Sequence, residues 1–168
     1  MASAGSGSAP HIAGELFNAM AGIKMVHVPY RGQALALADL LSGQVQVLFA
    51  TTPGMTDYIR TGKLHALAVT TASRAEVLPD LPTIREFVPG YEASQWYGLG
   101  APKSTPAEIV DKLNKEINAA LIDARMKARF AEIGGTALVG SPAEFGKFIA
   151  DETEKWAKVI KFANIKPE

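Results

Sequence analysis

The chain has 168 residues, 48% of them hydrophobic and 20% charged, which suits one ordinary domain or two small ones with a buried core. Lys plus Arg and Asp plus Glu number 17 each, a balance that argues against nucleic acid or an anionic membrane surface as partner. Cysteine is absent, which excludes disulfides, thiolate chemistry and Cys-based zinc sites and is compatible with an oxidising compartment without identifying one.

No apolar run approaches the roughly 20 residues of a membrane helix. The opening MASAGSGSAPH lacks the basic and apolar regions of a secretory signal, so these residues alone predict no export. Ala2 to Pro10 is small and Gly/Ser-rich, fit for a flexible tail or a loop leading into a helix. Ile12, Leu16, Phe17 and Met20 then fall at helical spacing, with Ser8 as N-cap, Pro10 in the first turn and Gly22 at the stop. The amides at such a helix start point outward toward the glycines.

Met25, Val26 and Val28 predict a short strand ending near Pro29, which cannot donate to a ladder. Tyr30, Arg31 and Gly32 form a turn, and a helix follows over 34–42. The turn offers a phenol, a guanidinium and backbone amides near a helix start, which suits a carboxylate or phosphate. The plain alternative is a βα turn with a solvated Tyr and Arg. Val45, Val47, Leu48 and Phe49 predict a second strand, Ala50 to Gly54 a turn, and Met55 to Thr61 a short helix closed by Gly62. Leu64 to Thr70 predicts a third strand, nearly all apolar, as strands covered on both faces are. Strand and helix alternate without hairpin signals. This predicts an α/β fold with a mainly parallel sheet, right-handed crossovers and strands 25–28, 45–49 and 64–70 as neighbours.

The pattern changes at Thr71. Prolines interrupt the chain apart from a helical piece near Thr83 to Phe87, and Glu92 to Leu99 reads as extended. Thr105-Pro106-Ala107-Glu108 predicts a capping box, with Thr105 as N-cap of a helix carrying Ile109, Leu113, Ile117 and Leu121. A second helix spans about 124–133, and Thr136 to Val139 a short strand. Ser141-Pro142-Ala143-Glu144 repeats the box and opens a long helix with Phe145, Phe148 and Trp156 on one side.

The segments SAGSGSAPHIAGELF, MVHVPYRG, LLSGQVQVLF, GKLHALAVTTASR, LPDLPTIREFVPGYEASQWYGLGAPKSTPAEIVDKLN and SPAEFGKFIADETEKW, taken together, resemble one family. It is the extracytoplasmic solute receptor of the tripartite tricarboxylate transporters, the Bug family, and the likeness is to its carboxyl-terminal half. The resemblance implies a three-layer, mainly parallel sheet of the type II periplasmic binding protein kind, truncated. Residues 1–95 would be most of ligand-binding domain two, without its opening strand and helix. Residues 96–168 would be the hinge strand and carboxyl-terminal helical part of domain one. Such receptors capture small carboxylates in the periplasm, deliver them to a membrane permease, catalyse nothing and need no cofactor.

By the same resemblance, Ser6, Gly7, Ser8 and His11 are candidate ligand contacts, with Tyr30, Arg31 and Gly32 as a second loop and Thr51 and Thr52 as a third. Many members carry an acid where this chain has Ala50, so a plain carboxylate is favoured over an amino acid. Simple structural readings stand beside each: an amino-terminal tail, a surface histidine, ordinary turn chemistry. His11, His27 and His65 lack metal-ligand spacing, and no GxSxG or P-loop pattern surrounds the serines. Trp96 and Trp156 read as packing residues. The alternative function is a self-associating structural or interaction module, a homodimer in which exchange of the carboxyl-terminal helices is one route. An enzyme using the Gly/Ser loop and His11 is the weakest reading.

Overall fold

A computed structural model describes residues 1–165. They divide into two compact units: Met1–Gln95 with the described residues from Trp156 onward, and Trp96–Lys155.

In the first unit, Ala2–Ser3 (β1) pairs in parallel with Val28–Pro29 (β2), in register Ala2 to Val28 and Ser3 to Pro29. Ala2 also bridges Leu48 in parallel, and its N–H reaches the Val47 carbonyl at 2.7 Å. The small Gly/Ser-rich opening, expected as tail or loop, therefore supplies the middle strand. Its residues lack the β-branched signature, yet a small pair is what fits between two strands and two helices. The 25–28 and 45–49 stretches consequently flank β1 and do not pair with each other. The stretch 64–70 does not form the expected long strand: Val69 alone bridges, in parallel, to Thr83.

Three helices follow the three parallel stretches: α1 (Ala9–Ala21), α2 (Gln33–Leu41) and α3 (Thr56–Arg60). Two apolar clusters show why helices sit on both faces. Ala2, Ala36 and Val45 pack with Tyr30, Leu40 and Leu48 on the α2 side. Ala13, Tyr91 and Ala93 pack with Leu16, Phe17, Phe49, Ile84, Val88 and Trp156 on the α1 side. Leu48 and Phe49 are consecutive yet enter different clusters, as the alternation of extended backbone demands. Ser8 caps α1, accepting from the His11 N–H at 3.4 Å, and Gly22 closes it in the left-handed region at φ 66°. Ser8→Ala is expected to cost about 1 kcal/mol, read from urea unfolding. An unchanged midpoint would contradict the cap.

The second unit holds α4 (Ala107–Ile122), α5 (Ala124–Glu132) and most of α6 (Pro142–Ala163). The expected Thr105 cap is absent. Pro106 stays extended at ψ 142° and is itself the cap position, so the helix opens at Ala107. The Ser141 box forms: Glu144 Oε2 accepts from the Ser141 N–H at 2.8 Å, and Ser141 Oγ accepts from the Glu144 N–H at 3.2 Å. Thr136 to Val139 forms no strand. Next to it, Asn118 and Asn114 bind the Gly140 backbone, Asn118 both giving to its carbonyl at 2.9 Å and accepting from its N–H at 3.2 Å. Trp96 packs edge-on against Phe145 and Phe148, with ring centroids 5.7 and 5.1 Å away. A side chain at Gly98 would collide with the Phe145 ring.

Candidate functional site

Because the stretches at 2–3, 28–29 and 48 run parallel, the loops that leave them lie at one end of the sheet. That end is where open α/β sheets hold ligands. The loops are residues 4–8, 30–32 and 50–55, and backbone bonds tie the first two together. The Tyr30 N–H donates to the Ser3 carbonyl and the Gly32 N–H to the Ala4 carbonyl, both at 3.2 Å. Gly32 has φ 112°, open to glycine and strained for other residues, which lets the chain enter α2 directly.

The first loop is braced from within. The Gly7 N–H donates to His11 Nδ1 at 3.0 Å. Ser8 Oγ donates to the Gly5 carbonyl at 2.6 Å while also capping α1. Ser3 Oγ lies 2.7 Å from His27 Nε2 and accepts from the Gly5 N–H at 3.2 Å. The His11 and His27 rings stack with centroids 3.7 Å apart.

The second and third loops are joined by Gln33, at the start of α2. Its Nε2 donates to the Thr51 and Pro53 carbonyls at 3.2 Å, and its Oε1 accepts from the Thr51 N–H at 2.8 Å and hydroxyl at 3.0 Å. Tyr30 turns its hydroxyl to Asp39 Oδ2 at 2.7 Å, away from the loop tips.

Burial of the histidines governs their charge. His27 is pushed down to about 4, first by burial, then by the neighbouring His11 and the Met1 amino group. Burial also lowers His11, opposed by Glu15, whose Oε1 lies 3.9 Å from Nε2. A histidine held neutral in the fold binds fewer protons than in the unfolded chain between about pH 4 and 6.5. Stability is therefore complete above pH 6.5 and drains away as pH falls toward 4. After solvent screening, the expected loss is about 1–2 kcal/mol. Urea unfolding at pH 7 and 4.5 should show it, with a shallower pH dependence in His27→Phe. Equal pH dependence in the variant would contradict the assignment.

The family model described as "Tripartite tricarboxylate transporter family receptor" (TctC) matches residues 1–165. The chain belongs to this receptor family. Among curated relatives it is 37% identical over 161 residues to a Pseudomonas sp. (strain P51) protein, "UPF0065 protein in tcbD-tcbE intergenic region", covering 95% of this chain and 48% of that one. The chain thus spans about half the length of that relative. A Pseudomonas knackmussii protein, "UPF0065 protein in clcB-clcD intergenic region", is 33% identical with 94% of each chain covered. Among solved structures, R. palustris Rpa4515 with adipate superposes with TM-score 0.85 at 40% identity, over 96% of this chain and 55% of that one. Periplasmic binding protein BugD gives 0.83 at 33%, over 99% and 57%. MatC from Rhodopseudomonas palustris with bound malate gives 0.79 at 29%, over 95% and 56%.

The nine residues singled out from the TctC resemblance all lie on these three loops or, for His11, in the first turns of α1. Their polar groups divide into two sets. Ser8, His11, Tyr30 and Thr51 spend side-chain bonds on the receptor itself, and the Gly7 and Gly32 amides donate inward. The hydroxyls of Ser6 and Thr52 and the exposed Arg31 guanidinium make no such bond to any described residue. Gln33, Ser3 and His27 were not singled out as site residues. Only His27, a histidine inside an apolar strand, carried any local signal. Among the described residues no cluster of three or more His, Asp or Glu could hold a metal ion, and no helix is long and apolar enough to cross a membrane.

Proposed function

We propose that this chain captures a small carboxylate as the ligand-binding part of a periplasmic solute receptor serving a tripartite permease. The observation that carries the reading is the convergence of three cross-tied βα loops at one sheet end, with Ser6, Arg31 and Thr52 uncommitted. A guanidinium takes a carboxylate bidentately and the two hydroxyls donate to its oxygens. The committed residues, Ser8, His11, Tyr30 and Thr51, hold the loops in place around that anion. Ala50 places no acid there to meet an amino group, which favours a plain carboxylate. Residues 1–95 are assigned to ligand-binding domain two, and 96–168 to the hinge strand and carboxyl-terminal part of domain one. The receptor role involves no catalysis.

Adipate and malate, the ligands of Rpa4515 and MatC, are the first probes. One guanidinium and two hydroxyls offer a ligand few donors, so dissociation constants above about 1 μM are expected by calorimetry. Arg31→Gln is expected to weaken binding about tenfold or more, near 1.4 kcal/mol, without moving the unfolding midpoint. No heat from any small dicarboxylate, or undiminished binding by the variant, would overturn the reading.

A second reading, self-association, is favoured by the apolar surfaces of the second unit. α4 and α5 bury no residue, and Ile109 and Leu113 are 44% and 48% exposed. Covering the half of each side chain still exposed contributes about 1 kcal/mol per residue, so a second copy is an attractive cover. Light scattering across a wide concentration range decides: a constant monomer mass removes the dimer.

A further inference from the structure

Two imidazole rings lie face to face beneath the first loop, and each holds a different part of it. His11 and His27 have planes within 8° of each other and centroids 3.7 Å apart. His11 Nδ1 accepts directly from the Gly7 N–H at 3.0 Å. His27 Nε2 meets the hydroxyl of fully buried Ser3 at 2.7 Å, and that hydroxyl accepts from the Gly5 N–H at 3.2 Å. The alternation of β1 explains the pairing: Ala2 enters the α2 cluster, so Ser3 faces the opposite side, where α1 brings His11. The Gly7 bond also fixes a tautomer. Nδ1 must be bare to accept, so the proton of neutral His11 sits on Nε2, toward Glu15 Oε1 at 3.9 Å.

We propose that the stacked His11–His27 pair is a proton-sensitive latch that positions the Gly5–Gly7 loop and lets it go when His11 is protonated. A proton added to His11 must go on Nδ1, where it faces the Gly7 N–H. Two donors at that spacing repel, and the amide leaves. Glu15 Oε1 lies 3.9 Å from His11 Nε2, whereas among the described residues His27 meets the neutral Ser3 hydroxyl, stacks on His11 and forms no ion pair, so His11 takes the first proton. A second charge on a ring 3.7 Å away is then opposed, so the stack changes state in a single step. His27 acts as a positioning residue: through Ser3 it fixes Gly5, and through the stack it sets the orientation of His11. The loop's hold on a ligand rests on the carboxylate-receptor reading above, but the latch itself does not.

The test has two arms on the full chain. In the first, nuclear magnetic resonance follows the Gly7 amide and the His11 ring from pH 7.5 to 4.5. Both should move together in one transition. His11→Gln keeps an acceptor that does not titrate, and should abolish the Gly7 transition. His27→Phe keeps a stacked ring but removes the partner of the Ser3 hydroxyl, and should leave the His11 transition in place, because His27 is still neutral when His11 takes its proton, while shifting the Gly5 amide already at pH 7.5. A Gly7 amide indifferent to pH in the wild type, or titrating unchanged in His11→Gln, overturns the latch. The wild-type titration decides even if a variant does not fold. In the second arm, calorimetry with adipate at pH 7.5 and 5.5 should show a loss of affinity on acidification about threefold or more larger in the wild type than in His11→Gln, whose remaining loss reports protonation of adipate itself. An equal loss in both proteins overturns the latch's control of binding. Adipate that binds at neither value sinks the receptor reading instead, and the resonance arm still judges the latch.

Discussion

Replacing Tyr91 with alanine is expected to lower the stability of the first unit by about 3–5 kcal/mol, the largest effect of any single substitution proposed for it. Among the described residues, Tyr91 is the largest side chain with no exposed surface. It sits at the centre of the cluster that joins α1 to the 84–93 segment and Trp156. Its ring meets Phe17 edge-on, with centroids 6.1 Å apart and planes at 84°, a favourable aromatic geometry. Its hydroxyl donates to the Ala13 carbonyl at 2.9 Å, stitching positions 78 apart in sequence. Truncation loses both the buried ring and the contacts around the hole it leaves. Tyr91→Phe keeps the ring and removes the bond, so about 1 kcal/mol is expected. The two variants together separate packing from hydrogen bonding in urea unfolding. Similar small losses for both would show that the cluster repacks freely. Burial also pushes the phenol well above its ordinary value, with Glu92 adding to the rise. The unfolded chain then ionises Tyr91 first, so this contribution is complete below about pH 10 and is lost at higher pH. Tyr91→Phe should remove that alkaline sensitivity.

The sequence disclosed elements whose signals are local and missed partners that are distant. Ile12, Leu16, Phe17 and Met20 announce α1 because a helix reads its own neighbours, and Ser8 and Gly22 mark its ends for the same reason. The strands were harder. Val26 looked like a buried strand residue and is 78% exposed, while Leu67 in the expected third strand is 69% exposed. Apolar runs report a preference for burial, not the presence of a neighbour that supplies it. The converse failure is β1: Ala2 and Ser3 have almost no strand propensity and still occupy the middle position, because only tertiary crowding selects small residues there. The site divides along the same line. Placing three loops at one sheet end followed from strand–helix alternation and the family resemblance. That Tyr30 spends its hydroxyl on Asp39, and that His27 stacks on His11, depends on contacts across 9 and 16 positions that no local pattern encodes.

Gln33 is the strongest such case, and Gln33→Leu is expected to cost about 2 kcal/mol and to loosen the third loop. Both ends of its amide are used: the nitrogen serves two carbonyls and the oxygen takes the Thr51 N–H and hydroxyl. Individually such bonds contribute about 0.5–1.5 kcal/mol, and those nearest solvent contribute least, so their sum overstates the loss. Leucine fills a similar volume and satisfies none of these groups. The third loop then loses the Gln33 tether to α2, and with it the anchored position of Thr52 beside Thr51. Gln33→Glu is the sharper variant. It retains an acceptor for Thr51 but turns a carboxylate oxygen onto the Thr51 and Pro53 carbonyls, so a loss at least as large as that of leucine is expected. Hydrogen exchange reads the effect where it arises: the Thr51 amide should lose protection in both variants, while the amides of α1 keep theirs. Adipate binding should weaken about tenfold or more, because ordering the loop must then be supplied by the ligand. A Thr51 amide as protected in Gln33→Leu as in the wild type would show that the loop is held by its own backbone and that the glutamine only rests upon it.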